Sequence, residues 1–271
     1  MEPFNKKNID QLNFLNNHLK SNSIKVKNEF NKSGDEKNKY QNKDNLINSI
    51  LIVDTETTGL DENKNQLIEI GCILFNIPAK EVLSQISFLL PVSINEAENI
   101  NGISPEMTQI SQPWEDAISF FYKLVDCCDY IVAHNVEFDK KWFGIGKLRT
   151  LDKKWICSLD DINWSFKEKV KRRPSVTDLA LAFGVPVWNL HRALSDCFYL
   201  SEVFKKCENL EDLLIDASKP RYLYKAIVSY EDRLLAKEAG FRWNNPVQGA
   251  WTKRLSENEA VNLNFKVEIL N

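Results

Sequence analysis

The sequence lacks the features that mark membrane-inserted and secreted proteins. No stretch of its 271 residues approaches the roughly 18 consecutive apolar residues that a membrane-spanning helix needs. The polar N-terminus also lacks the apolar segment of a signal peptide. The 6 cysteines include no C-x-x-C pair, and most stand among apolar neighbours, as reduced core residues do. We therefore expect a soluble, cytoplasmic protein without disulfides and without membrane contact.

The sequence also lacks a strong excess of acidic or basic residues, since its net charge is only -3, but the charged residues are unevenly distributed. Basic residues are dense between Lys140 and Arg173. Such a patch would attract a phosphate backbone, and the resulting binding would weaken with salt. For any single lysine, a solvated helix face is the alternative interpretation. The N-terminal residues 1–46 are rich in Asn and Lys and poor in aromatics, so we expect a disordered or loosely helical segment there.

The first motif is a pair of acids at the end of an apolar run. After ILIV at 50–53, the sequence reads DTETTG over residues 54–59. A strand that is apolar throughout is expected to be buried on both faces, so the acids mark where it leaves the core. Residues i and i+2 of a strand point to the same side, so Asp54 and Glu56 can share a metal ion. Taken alone, this motif is also compatible with a polar strand end followed by a turn.

Two further motifs combine acids with histidines. The sequence reads HNVEFD over 134–139, after another apolar run, and HRALSD over 191–196. Asp139 alone is also compatible with an ordinary acid at a helix start. His191 and Asp196 are five residues apart and would diverge on a continuous helix. We therefore expect His191 in a loop and a helix that begins near Ala193, although a lone histidine there is often only a capping residue.

Together the three motifs predict a two-metal site for phosphodiester cleavage. Two hard cations about 3.5 to 4 Å apart need several oxygen ligands and can hold both the attacking and the leaving oxygen. Acids without a cysteine-histidine set favour Mg²⁺ or Mn²⁺ over zinc. A histidine can accept the proton of an attacking water near neutral pH.

In this order and spacing, the motifs resemble the DEDDh family of 3′ to 5′ exonucleases, which includes ribonuclease T and the proofreading subunits of bacterial polymerases. The resemblance covers about residues 48–207 and takes in the segment INGISPEM at 100–107. It implies an α/β, ribonuclease H-like fold, in which a mixed sheet is flanked by helices. It also implies two bound ions and His191 as the general base. The metal ligands would be Asp54, Glu56, Asp139 and Asp196.

The same resemblance implies residues that place the terminal nucleotide. In the first motif these are Thr57, Thr58, Gly59 and Leu60, and in the second they are Asn135 and Phe138. Gly59 would allow a close backbone approach, and Leu60 would wedge against the terminal base. The alternatives are a simple turn with a core leucine, and a core aromatic at Phe138. His134 is interpreted as structural, because the third motif already supplies the base.

The domain prediction divides the chain into residues 1–46, an exonuclease domain at 47–210 and a small α+β domain at 219–271. In the exonuclease domain, strands are predicted at 50–54, 67–75, 81–90, 130–133 and near 155–157, and helices at 114–125, 138–144, 175–183 and 193–209. In the small domain, strands are predicted at 226–230, 241–243, 250–253 and 266–270, and helices at 231–239 and 256–264. This pattern resembles a small domain attached to DNA-processing proteins. Trp243 and Trp251 are interpreted as core residues, with base stacking as the alternative.

The leading hypothesis is a 3′ to 5′ exonuclease that acts on the 3′ ends of single-stranded DNA or RNA and releases nucleoside 5′-monophosphates. Two alternatives stay open: a proofreading subunit bound to a DNA polymerase, and a catalytically idle nucleic-acid-binding protein. Several members of the DEDDh family are dimers, so a homodimer is a further open expectation.

Overall fold

The structure, a computed structural model, describes residues 46–164, 170 and 173–270. The expectation of a disordered N-terminal segment therefore falls almost wholly outside the described residues. So does part of the basic run, at 167, 169, 171 and 172. Within the described ranges, no helix has the length and apolar character needed to cross a bilayer.

The central sheet has five strands in the order β3-β2-β1-β4-β5. They are β1 (Ser49–Thr57), β2 (Leu67–Asn76), β3 (Glu81–Leu89), β4 (Tyr130–Ala133) and β5 (Lys154–Cys157). The first three strands pair antiparallel, whereas β1, β4 and β5 run parallel. This is the mixed sheet that the sequence predicts.

Helices cover both faces of this sheet. They are α1 (Glu98–Asn101), α2 (Pro105–Gln109), α3 (Trp114–Cys127), α4 (Val136–Lys140), α5 (Val176–Ala182), α6 (Ala193–Lys206) and α7 (Leu210–Ala217). Leu51 and Val53 of β1 share an apolar cluster with Phe121 of α3. Ile50 and Ile52 belong to the cluster on the opposite face, with residues of α6. Burial on both faces explains why the strand is apolar throughout.

A second, four-stranded antiparallel sheet follows, in the order β7-β8-β6-β9. Its elements are β6 (Tyr222–Ile227), α8 (Arg233–Glu238), β7 (Arg242–Trp243), β8 (Trp251–Leu255), α9 (Glu257–Val261) and β9 (Lys266–Ile269). It has a small core of its own, which includes Tyr224, Ala236 and Phe241. The predicted α+β character of the C-terminal part is confirmed.

Several predicted boundaries are wrong. The first strand of the small domain was expected at 226–230, but β6 ends at Ile227, because the Ser229 hydroxyl pairs with Asp232 in a turn before α8. Helix α4 starts and ends earlier than the predicted 138–144, at Val136 and Lys140, and the chain then reaches Gly144, whose φ is +98. The predicted helix 193–209 ends at Lys206 and is followed by the unpredicted helix α7.

Candidate active site

The first motif forms the end of β1. Asp54 lies opposite Gly71, and Glu56 lies opposite Glu69, in the antiparallel pairing with β2. The register shifts between Glu56 and Thr57, where the strand leaves the sheet. Because Asp54 and Glu56 are two residues apart on one strand, their side chains point to the same side of β1 where it leaves the core, as the sequence predicts.

The second motif adds a buried carboxylate to this strand end. Asp139 lies in α4 and is only 2% exposed. The hydroxyl of Thr55 donates a hydrogen bond to Asp139 Oδ1 over 2.7 Å. Thr55 lies between the two acids of the first motif, so this bond ties the second motif directly to the first.

Burial and mutual repulsion raise the pKa values of the motif acids. Burial, followed by the charge of Asp139, raises the pKa of Asp54 well above its usual range. Burial also raises the pKa of Asp139, against the hydrogen bonds that Thr55 donates. Burial and the nearby Asp196 raise the pKa of Glu56 to about 8. The pKa of Asp196 is raised by burial to about 6, with His191 opposing the shift.

His191 occupies a loop, as the sequence predicts, and α6 begins at Ala193. Its φ of +58 is a left-handed conformation, which histidine adopts more often than most residues with a side chain. The backbone and the imidazole of His191 both act to lower the pKa of Asp196, against the larger effect of burial. Ligand atoms of Glu56, His191 and Asp196 all lie within 4.8 Å of one another. The exposed imidazole thus lies beside Glu56 of the first motif and Asp196 of its own motif.

An anchor that the sequence analysis missed holds this loop in place. Glu69 of β2 is only 1% exposed. Arg192 donates to both of its oxygens, from Nε over 3.0 Å and from Nη2 over 2.9 Å. The backbone N–H of Ala193 and the hydroxyl of Ser87 donate to the same carboxylate over 3.0 and 2.7 Å. Glu69 therefore fixes the two residues that follow His191.

Gly71 completes this anchor, since it is two residues from Glu69 on β2. A Cβ at Gly71 would lie 2.4 Å from the backbone of Ala193 and Leu194, so only glycine lets α6 come this close. One sequence signal points to Glu69: an acid inside the otherwise apolar segment at 67–75 must have a partner when it is buried.

The turn after β1 has a rigid base and an exposed tip. The buried hydroxyl of Thr57 donates to Gly59 O over 2.6 Å, and the buried Thr58 hydroxyl accepts from Gln66 N over 2.9 Å. Leu60, in contrast, is 78% exposed, so its interpretation as a core leucine is wrong. The ammonium group of Lys141 donates to Leu60 O over 2.6 Å. These contacts hold the turn in place and leave the Leu60 side chain free.

The second motif places Phe138 near this turn, through Lys141, and exposes Asn135. Asn135 is exposed and precedes α4 without making a side-chain cap. Phe138 is half-buried, and its ring centroid lies 5.2 Å from Lys141 Nζ, the same group that binds Leu60 O. Lys141 therefore brings the first and second motifs together at the places where substrate contacts were predicted.

His134 is fully used by the fold. Its Nδ1 lies 2.9 Å from Ser158 Oγ, and its Nε2 lies 2.8 Å from Pro174 O. Because a carbonyl only accepts, Nε2 carries the proton and Nδ1 accepts from Ser158. Burial lowers the pKa of His134. These contacts agree with a structural interpretation of His134.

The basic run at 140–173 is less available than its composition suggests. Lys141 pairs with Glu62 over 3.0 Å, and Arg149 pairs with Asp126 over 3.0 Å. Lys153 donates to Cys128 O over 2.6 Å. Arg173 is paired with Asp160. Among the described members of the run, these four side chains have partners within the chain and do not form an exposed basic patch.

The acid cluster fits a hard divalent cation. After burial, four carboxylates act on Asp54, and all four raise its pKa; they belong to Asp139, Asp196, Glu56 and Glu69. Arg192 acts on Glu56 in the opposite sense, but its guanidinium is bonded to Glu69. A bound cation would relieve this repulsion, and carboxylate oxygens are the ligands that Mg²⁺ and Mn²⁺ prefer. The donor set therefore suits such an ion.

Comparison with family models decides the assignment. The model described as Exonuclease (RNase T) matches residues 51–204, more than half of the chain. The chain belongs to this exonuclease family. The match confirms the DEDDh-type 3′ to 5′ exonuclease that the three motifs predict, and this exonuclease family is metal-dependent. A second model, described as a domain of unknown function (DUF8626), matches residues 222–270, which form the small antiparallel sheet.

Curated relatives of the exonuclease region belong to DNA polymerases. The DNA polymerase III subunit epsilon of Treponema pallidum is 27% identical over 161 residues, which cover 56% of this chain and 72% of that protein. The PolC-type DNA polymerase III of Thermotoga maritima is 26% identical over 160 residues. That match covers 58% of this chain but only 12% of the polymerase, so the chain spans a small part of the PolC-type relatives.

Solved structures show the same fold. The crystal structure of E. coli exonuclease I in complex with a dT13 oligonucleotide superposes with a TM-score of 0.53 and 13% identity, over 81% of this chain and 68% of that chain. A zinc-bound complex of the same enzyme with single-stranded DNA gives a TM-score of 0.53 and 17% identity, over 70% of this chain and 50% of that chain. The predicted ribonuclease H-like fold is thereby confirmed.

Proposed function

We propose that this exonuclease removes nucleotides from the 3′ ends of single-stranded DNA or RNA and releases nucleoside 5′-monophosphates. One observation carries the proposal: separate segments bring Asp54, Glu56, Asp139 and Asp196 to one strand end, where His191 lies beside Glu56 and Asp196. Such a group of acids is costly for the fold alone, because burial raises the pKa of each one. A catalytically idle nucleic-acid-binding protein would gain nothing from buried acids that destabilise its fold.

In the proposed mechanism, Asp54, Glu56, Asp139 and Asp196 would hold two Mg²⁺ or Mn²⁺ ions. When bound, such ions lower the pKa of a coordinated water and neutralise charge on the oxygens that attack and leave phosphorus. His191 accepts the proton of the attacking water, since its exposed imidazole lies beside Glu56 and Asp196. Glu69 and Arg192 keep the imidazole in this position.

Substrate placement is assigned to the exposed part of the first motif and its neighbours. Leu60 would stack against the terminal base from the turn that Lys141 holds. Asn135 and Phe138 would line the other side of the terminal nucleotide. Thr57 and Thr58 would present the turn, since their hydroxyls are bonded within it. The backbone of Gly59 would contact the terminal nucleotide, and glycine is needed there because a Cβ would lie 2.5 Å from the Asn65 side chain.

The test uses single-stranded oligonucleotides labelled at the 5′ end or at the 3′ end, incubated with the full chain and Mg²⁺. We expect a ladder of shortened products from the 5′-labelled strand and immediate release of a labelled mononucleotide from the 3′-labelled one. Asp54→Asn should lower the rate by at least about 10³-fold, because metal catalysis supplies several kcal/mol. Asp152→Asn, which changes an exposed acid outside the cluster, is the matched control.

Two results would contradict the proposal. One is a wild-type chain that shortens neither DNA nor RNA. The other is shortening that persists unchanged in Asp54→Asn, since the activity would then come from another site or a contaminant. Parallel reactions with DNA, RNA and mismatched duplexes identify the preferred strand.

A proofreading role is the second candidate, because the curated relatives are a DNA polymerase III subunit epsilon and a PolC-type DNA polymerase III. It requires a polymerase partner. Copurification of a polymerase with the full chain, together with faster removal of a mismatched than of a matched 3′ end, would support it. An equal rate on both ends and no copurified polymerase would exclude it.

A further inference from the structure

The small C-terminal sheet carries an open cavity that the catalytic site does not use. Its volume is about 510 Å³. Residues of β6, β7, β8 and the turn before α8 line it, including Lys225, Tyr230, Arg233, Trp243 and Trp251. A cavity lined by aromatic rings with a few placed charges is typical of a ligand site.

Two of the three aromatic side chains of this cavity, those of Tyr230 and Trp243, are largely exposed. Tyr230 is 75% exposed and Trp243 is 51% exposed. The ring centroids of Trp243 and Trp251 lie 5.5 Å apart, with the planes tilted by 52°. The interpretation of Trp243 as a core residue is therefore wrong, whereas Trp251 is half-buried against the small core. Large exposed aromatics grouped on one surface mark a binding site more often than a structural one.

The charges in the cavity are positive. The Arg233 guanidinium lies 3.9 Å from the ring centroid of Tyr230, so a cation and an aromatic face form one surface. Lys225 also lines the cavity. Glu268, which lies opposite Lys225 on β9, is paired with Lys266 over 3.3 Å. Exposed rings beside cations match the bases and phosphates of a single strand.

The sheet that holds this cavity is tied to the exonuclease part of the chain. The Arg221 side chain, just before β6, is 4% exposed, and it donates from Nη2 to Asp161 O over 2.9 Å. Its guanidinium also reaches Glu259 of α9 over 2.5 Å. Arg221 thus links the loop after β5 to the small sheet. A strand held in the cavity would have a fixed position relative to the catalytic domain.

We propose that this cavity is a single-stranded nucleic-acid site, where Tyr230 and Trp243 stack bases and Lys225 and Arg233 bind the phosphates of the strand whose 3′ end is being removed. This inference rests on the proposed function for the identity of that strand. It assigns a role to the domain of unknown function: the cavity holds substrate upstream of the 3′ end.

The test measures binding without hydrolysis. A fluorescein-labelled single strand of about 20 nucleotides, longer than the roughly 4 to 16 nucleotides of one single-strand site, is titrated with the full chain in EDTA. We expect Trp243→Ala and Tyr230→Ala each to weaken binding about 5- to 100-fold, the range for loss of one stacked base. Trp243→Phe should retain most of the affinity. Tyr222→Ala, which changes an exposed aromatic of β6 outside the cavity, should bind as the wild type does.

A second readout separates this site from the active site. Hydrolysis of an oligonucleotide of about three nucleotides, shorter than the roughly 4 nucleotides of the smallest single-strand sites, should be unchanged in Trp243→Ala, whereas KM for the long strand should rise. Wild-type affinity for the single strand in both Trp243→Ala and Tyr230→Ala, with their folds verified by circular dichroism, would overturn the inference. Failure of the wild type to cut any strand would refute only the proposed function, because the binding measurement needs no hydrolysis.

Discussion

Two sets of residues in the exonuclease domain contain the same kinds of ionisable group but place them in opposite surroundings. The open cluster consists of the four motif acids and His191. The anchoring groups are Glu69 with Arg192, and His134 with Ser158 and Pro174 O. Glu56 and Glu69 are even paired across β1 and β2. Both regions offer carboxylates and a histidine, so residue type does not separate them.

The difference lies in the charge of the groups around each acid. Glu69 accepts four hydrogen bonds, two of them from an arginine, and both ring nitrogens of His134 are bonded. Asp139 of the open cluster also accepts a hydrogen bond, from Thr55. Burial, together with the other carboxylates of the cluster, nevertheless raises the pKa of Asp54 and Glu56. A buried acid paired with a cation stabilises the fold, whereas buried acids that face one another are suited to bind a metal ion. Charge balance, not burial, therefore distinguishes the catalytic set.

Removal of His191 from the open cluster tests this comparison most strongly, because it should give a larger loss of activity than a change in either anchoring group. His191→Ala should lower turnover by about 10² to 10⁴-fold, the usual contribution of a general base, and leave Mn²⁺ affinity nearly intact. Single-turnover rates and a metal titration on the same variant measure both quantities. If metal affinity falls as far as turnover, His191 is a metal ligand and not the base.

The anchor is expected to give a smaller effect on activity. Glu69→Gln keeps the volume of the side chain but removes the charge that holds Arg192, so the His191 loop should shift. A displacement of about 1 Å near the reacting atoms can cost on the order of 10²-fold, and we expect a loss of about 10- to 100-fold in kcat with KM little changed. Glu81→Gln on β3, an exposed acid paired with Lys205, is the control. Full activity in Glu69→Gln would show that the loop needs no anchor.

The other anchoring group should affect stability and its dependence on pH. His134→Gln should lower the free energy of unfolding by about 1 to 3 kcal/mol at pH 7.5, since Ser158 and Pro174 O lose a buried partner. Burial lowers the pKa of His134, so the unfolded chain binds its proton more readily than the folded one. The stability that His134 supplies is therefore complete above about pH 6.5 and is lost as the pH falls further.

Urea unfolding at pH 7.5 and pH 5 measures this effect. The difference between wild type and His134→Gln should shrink at the lower pH. A difference that grows towards pH 5 would mean that the charged form of His134 is the one that the fold stabilises.

The sequence predicted the open cluster better than the anchor, for a physical reason. Each motif is a short local pattern: Asp54 and Glu56 end an apolar strand, and His191 stands just before the start of a helix. The left-handed backbone at His191 then lets the imidazole lie beside Asp196. Glu69 is also visible as an acid inside an apolar strand. Its partner Arg192 lies 123 residues away, however, and no local pattern joins two residues so distant.

The element boundaries failed where tertiary contacts decide them. Helix α6 ends at Lys206 and not at 209, and the ammonium group of Lys80, from the turn between β2 and β3, donates to the carbonyl of Cys207, which caps the helix. In the small domain, the core interpretation of Trp243 is wrong, because β7 has only two residues and leaves the Trp243 ring half exposed. Burial at such a sheet edge depends on neighbours that the local sequence does not specify.

The most direct test of the central claim is Mn²⁺ binding, followed by electron paramagnetic resonance on the wild type, Asp54→Asn and Glu69→Gln. We predict that the wild type binds two ions per chain, that Asp54→Asn loses this binding, and that Glu69→Gln retains it although its activity falls. A wild type that binds no Mn²⁺, or equal losses in Asp54→Asn and Glu69→Gln, would contradict the distinction between acids kept for metal and acids kept for the fold.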